Sequence, residues 1–78
     1  YETPPTLTWS TITWAARYEV VVDDAPDFHT PVFTVTTADL FAAPALPPGY
    51  YYWRVRAIFA NDAPGSWSAT DTFSIASP

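Results

Sequence analysis

Polar and apolar positions alternate with a period of two along most of this chain, the mark of strands that bury one face. In residues 6–10 the alternation sets Leu7 and Trp9 on one side. A short connection over residues 11–16 follows. Residues 17–23 then set Tyr18, Val20 and Val22 inward and Arg17, Glu19 and Asp23 outward. Asp24-Ala25-Pro26-Asp27 is a turn cluster, because Asp and Pro both suit turn geometry. Residues 31–37 place Phe33 and Val35 inside. Residues 39–48 read as irregular, with a short strand at 39–42, and Pro47-Pro48-Gly49 breaks the chain. The strongest strand is residues 51–59, with Tyr51, Trp53, Val55 and Ala57 inward and Tyr52, Arg54 and Arg56 outward. A loop over residues 61–65 leads to a last run, 70–75, with Phe73 and Ile75 inward. No Pro-free window holds an apolar 3.6-residue period long enough for a helix. Short strands joined by Pro-, Gly- and Asp-rich turns predict an all-β sandwich or small barrel forming one domain over residues 1–78.

Composition narrows the function. At 78 residues a core is small, and an aromatic content of 18% compensates, since Trp and Tyr bury large areas. With no Cys there is neither a disulfide nor a thiolate metal site. All 3 cations are Arg, against 8 acids, for a net charge of −5. That balance argues against nucleic acid or anionic lipid as a partner, since both select basic surfaces. No apolar run approaches the roughly 20 residues needed to insert in a membrane. The chain has no Met, so Tyr1 is not a translation start, and the domain is expected to be excised or processed from a longer chain.

Several segments together resemble the fibronectin type III family, especially its bacterial extracellular members. Leu7-Thr8-Trp9 looks like that family's second strand with its buried Trp. Residues 17–22 and the turn Asp24-Ala25-Pro26-Asp27-Phe28 look like its third strand. Residues 46–57 look like its sixth strand and the corner before it, and Gly65-Ser66-Trp67-Ser68 with Phe73-Ser74-Ile75 fits the last. The resemblance implies an immunoglobulin-like antiparallel β-sandwich of six or seven strands. Sandwiches of this type often carry a tyrosine whose hydroxyl bonds back to upstream backbone. The resembled family's usual spacing from Leu46 implies Tyr52 for this role; the in–out alternation with Trp53 and Val55 favours Tyr51. The chain departs from the family in beginning at the second strand, so a first strand is missing. Either that strand lies outside this sequence, or the fold tolerates six, or a neighbouring chain donates one by strand addition.

Candidate chemistry is sparse. His29, the single His, sits in a turn with no partner for nucleophilic catalysis. Asp23, Asp24 and Asp27 form the densest carboxylate group, but they lack the Gly and distal Glu of a calcium loop. No catalytic residue, metal site or cofactor is expected, and the chain is read as not an enzyme. Arg54 and Arg56 lie two apart on one strand face, with Trp67 expected on the neighbouring strand. Guanidinium stacks well on indole, so these three read as a structural ladder or, failing that, as a partner-binding surface. Arg-Val-Arg-Ala followed by Gly-Ser-Trp-Ser also resembles half of the Trp-Ser repeat of cytokine receptor domains. Trp14, Tyr50 and Tyr52 are aromatic at loop or outward positions, suited to a protein interface or to stacking on sugar rings. The leading expectation is a structural or adhesive module of an extracellular or cell-surface protein, as a spacer repeat or a filament subunit. Its partners would be neighbouring domains or identical subunits. The alternative is an accessory carbohydrate-binding domain of a secreted enzyme, with glycans as partner.

Overall fold

A computed structural model describes residues 3–76. Their architecture is all-β: β1 (Leu7–Thr8), β2 (Ala15–Asp23), β3 (Phe33–Thr37), β4 (Phe41–Ala42), β5 (Gly49–Phe59) and β6 (Asp71–Ile75). Every pairing is antiparallel. β1 pairs with β4 in a two-stranded sheet, and the other four form a sheet in the order β3-β2-β5-β6. The two sheets pack together over one core, with Leu7 of β1 meeting residues of β2, β5 and β6.

The register explains which side chains fill that core. Val20 lies opposite both Val35 and Val55, Tyr18 opposite Ala57, and Val22 opposite Trp53. Period-two alternation therefore points all of them to one face. Val20 and Val22 are fully buried, and each contributes about 1.5–3 kcal/mol over an exposed side chain. Tyr51 stacks on Phe73 with ring centroids 5.3 Å apart. Phe73 and Ile75 are buried as expected, whereas Phe33, Val35 and Trp53 are half-buried against the core. β2 shifts register between Ala15 and Arg17, a bulge that lets the strand start earlier than its alternation suggested.

Two expectations need correction, and one connection adds a feature the pattern did not announce. Asp23 lies on the outer face of β2 as predicted, but it is only 1% exposed. The segment between β2 and β3 folds back: Val32 N–H donates to the Val22 carbonyl at 2.9 Å, and Phe28 is buried. The strand expected over residues 6–10 contracts to Leu7–Thr8. Trp9 is half-buried beyond it, donating its backbone N–H to the Leu40 carbonyl at 3.1 Å.

Candidate functional site

The densest meeting of charged and aromatic groups lies on the outer face of the four-stranded sheet. Arg54 and Arg56, two apart on β5, share that face by strand geometry. The segment after β5 stays close to it. Gly65 N–H donates to the Ala57 carbonyl at 2.7 Å and Ser68 N–H to the Val55 carbonyl at 2.8 Å. Ser68 Oγ accepts the Val55 N–H at 3.0 Å, doing with a side chain what a backbone carbonyl does in a regular ladder. These bonds hold Trp67 against both arginines, whose guanidinium carbons lie 4.4 Å (Arg54) and 4.3 Å (Arg56) from a Trp67 ring centroid.

The stack continues at both ends. Arg54 also lies 4.3 Å from the ring centroid of Phe28. Arg56 Nε donates to Glu19 Oε1 at 2.6 Å, and Glu19 is the residue directly opposite it in the β2–β5 register. The order is Phe28, Arg54, Trp67, Arg56, Glu19, and it draws on β2, β5 and two connections. Val21, opposite Arg54, is buried beneath this layer. Arg54, Arg56 and Trp67 meet as the sequence suggested, but Trp67 lies on the connection before β6 and not on a neighbouring strand. The sequence did not find Phe28 or Glu19. Glu19 was in principle accessible, because pairing β2 with β5 in the hydrophobic register sets it across from Arg56. Phe28 carried only the signal of one large apolar residue inside a polar turn.

Beside the stack, Asp23 spends Oδ1 on the Asp24 N–H at 2.7 Å, and its Oδ2 is buried without a hydrogen-bond partner. Asp27 Oδ1 accepts the His29 N–H at 3.0 Å in an exposed turn. One carboxylate oxygen each of Asp23 and Asp27 is thus committed to local backbone. Among the described residues no group of three or more His, Asp or Glu is placed to hold a metal ion.

The remaining aromatic candidates divide into two places. Tyr50 is 54% exposed and meets half-buried Tyr52 edge to face, with centroids 5.3 Å apart and rings at 80°. Trp14 is 86% exposed on the turn before β2. Ala15 pairs with Phe59, at the far end of β5 from Tyr50, so Trp14 and the tyrosine pair lie about 30 Å apart at a strand rise of ~3.3 Å per residue. Tyr51, not Tyr52, donates its hydroxyl to the Pro47 carbonyl, at 2.6 Å. That bond ties the chain break at Pro47-Pro48-Gly49 to the central strand. No protein family model matches the chain, and neither does any curated protein or solved structure.

Proposed function

We propose that this chain is a non-catalytic structural module of the fibronectin type III-like kind in an extracellular protein, serving as a spacer repeat or as a subunit of a surface filament. The observation that carries the reading is the Phe28–Arg54–Trp67–Arg56–Glu19 stack. The molecule's densest set of reactive-looking groups is occupied by contacts within the set. Such a stack stiffens a sheet, its guanidinium groups engaged by aromatic rings and by Glu19. Support for the fold type comes from strand order. A two-stranded β1-β4 sheet facing β3-β2-β5-β6 is the arrangement expected of an immunoglobulin-like sandwich without its first strand. Extracellular placement rests on the resemblance of the sequence motifs to bacterial extracellular members of that family.

The carbohydrate-binding reading has less support. Trp14 lies at the opposite end of β5 from Tyr50 and Tyr52, and the two tyrosine rings are nearly perpendicular, so the three make no flat platform for a sugar chain. The test pairs equilibrium unfolding with a broad glycan array. The structural reading expects cooperative unfolding, loss of stability on Trp67→Ala, and no glycan retained. Specific glycan capture abolished by Trp14→Ala or Tyr52→Ala, with unfolding unchanged, would overturn it in favour of the carbohydrate reading. Hydrolysis of a defined substrate, lost in a single-site variant, would overturn its non-catalytic part.

A further inference from the structure

The peptide groups of the large sheet can be followed outward to its two edges. Val55 and Ala57 turn theirs toward residues 65–68, which bond to them. Alternation then turns those of Arg54 and Arg56 toward β2, those of Val20 and Val22 toward β3, and those of Phe33, Val35 and Thr37 back toward β2. The bond from Val32 N–H to the Val22 carbonyl agrees with that phase. Within β3, Thr34 and Thr36 are left with N–H and C=O facing away from the sheet. The opposite edge, β6, is guarded: Thr72 faces out there by the same counting, and its N–H is taken by Asp71 Oδ1 at 2.8 Å. The core differs likewise at its two rims. Phe73 and Ile75 of β6 are 7% and 5% exposed, whereas Phe33 and Val35 of β3 are only half-buried. β3 also holds no Pro and no charged residue, the usual protections of an edge strand.

We infer that β3 pairs with β3 of a second copy, antiparallel about a dyad at Val35, so that the two four-stranded sheets join into one. The pairing deepens the structural-module reading, and rests on it, by naming the edge at which identical subunits meet. Register selects a second copy as the occupant. The outward peptide groups of β3 belong to Thr34 and Thr36, and Thr34-Val35-Thr36 reads the same in both directions. A dyad at Val35 therefore sets Thr34 of each copy opposite Thr36 of the other, as pairs that exchange both N–H···O bonds. Val35 meets Val35 as the closer, non-hydrogen-bonded pair, and Phe33 meets Thr37, so both half-buried core residues gain cover on the inner face. The charges permit this approach. The chain has a net charge of −5, but residues 30–38 carry no charged side chain. Glu19, opposite Thr36 on β2, is paired with Arg56. Asp39 is exposed and bonds only Thr37, but the dyad sends the two Asp39 residues to opposite ends of the joint. They lie about 26 Å apart by strand rise, well beyond a Debye length of about 8 Å. Each then comes beside the turn of the other copy that holds Asp27 and His29, so added salt strengthens the pairing. With 5 residues a side, against roughly 20–30 in a standard interface, the association is weak and reversible. A contact between identical patches about a dyad closes at two copies.

The experiment is sedimentation equilibrium over a dilution series of the 78-residue chain, of Thr34→Glu/Thr36→Glu, of Thr34→Lys/Thr36→Lys, and of an equimolar mixture of the two double variants. The unaltered chain is expected to pass from monomer to dimer and stop there, more readily at high salt. Either variant alone sets like charges directly opposite and should pair about tenfold more weakly, whereas the mixture sets Glu against Lys and should recover 1:1 dimers. Both threonines are exposed, so the variants should keep the unfolding midpoint of the dilute parent chain. If one does not, Val35→Cys decides in its place. The chain has no other thiol, and two Cys facing each other at a non-hydrogen-bonded site lie within disulfide reach. Mild oxidation should then give covalent dimer about tenfold faster than with Thr34→Cys, which the dyad sets out of register with its mate. A chain that stays monomeric at every concentration overturns the pairing while leaving the spacer form of the module reading intact. Growth beyond two copies, pairing loosened by salt, a mixture that fails to pair, or equal cross-linking of the two Cys variants overturns it as well.

Discussion

Truncating Trp67 to Ala tests the stack most directly. The indole is half-buried, so roughly 100 Å² of the ~200 Å² typical of a buried Trp would be lost from packing. At about 25 cal/mol per Å², that is about 2.5 kcal/mol. The two guanidinium contacts, at 4.3 and 4.4 Å, add about 0.5–1 kcal/mol each in a partly desolvated setting. The sum is about 3.5–4.5 kcal/mol. A domain of this length is stable by only about 4–12 kcal/mol, so the variant should lose a large share of its folding free energy. Urea unfolding followed by far-ultraviolet circular dichroism reads the loss without relying on the removed fluorophore. Trp67→Phe retains a ring for both arginines and should lose less than half as much. A double-mutant cycle between Trp67→Ala and Arg56→Met should give a coupling of about 0.5–1 kcal/mol. A loss below about 1 kcal/mol for Trp67→Ala would refute the claim that the stack supports the fold.

Other substitutions probe separate parts of the argument. Tyr51→Phe removes the 2.6 Å bond to the Pro47 carbonyl and should cost about 1–1.5 kcal/mol, whereas Tyr52→Phe should change stability by less than about 0.5, as chemical denaturation of the two would show. Val20→Ala, at a fully buried position between Val35 and Val55, should cost about 2–3 kcal/mol in the same assay. Asp62→Asn removes the charge facing Arg17 but suits the positive φ of 66°, and the pair is well exposed, so thermal unfolding should register a change within about 0.5 kcal/mol.

The inner face of the large sheet was legible because its signal is periodic. Tyr18, Val20 and Val22 on β2 and Tyr51, Val55 and Ala57 on β5 alternate with polar neighbours, and a one-residue slip would invert every one of them. The same logic distinguished Tyr51 from Tyr52, since only the inward residue can reach back beneath the chain to Pro47. What was not legible depends on contacts distant in sequence. Asp23 reads as the exposed end of a strand, and nothing local announces that the following connection folds over it. Trp9, which shares parity with Leu7, does pack against the core, its ring 6.1 Å from that of Tyr18, but the end of β1 at Thr8 is set by the pairing with β4, which no local pattern encodes. The stack was half legible for the same reason: Arg54 and Arg56 are linked by strand parity, while Phe28 arrives through a turn.

An antiparallel sheet can leave one face to water, and this one does not leave all of it. Val21 and Phe28 are buried outside the inner core, beneath or against Arg54. A domain this small, with no disulfide, has limited core to draw on, and a second buried layer enlarges it. Building that layer from arginines rather than aliphatic residues has a further consequence. The stems of Arg54 and Arg56 cover apolar surface while their charged heads stack on rings or pair with Glu19, so the face gains burial without becoming an apolar patch. The charges also enforce register. Sliding β5 by one residue against β2 would carry both guanidinium groups into the core and turn Val55 and Ala57 out, a cost no rearrangement of this chain offsets. The stack therefore does two kinds of work in one place: it adds stability to the outer face, and it makes the alternative pairing of the two central strands untenable.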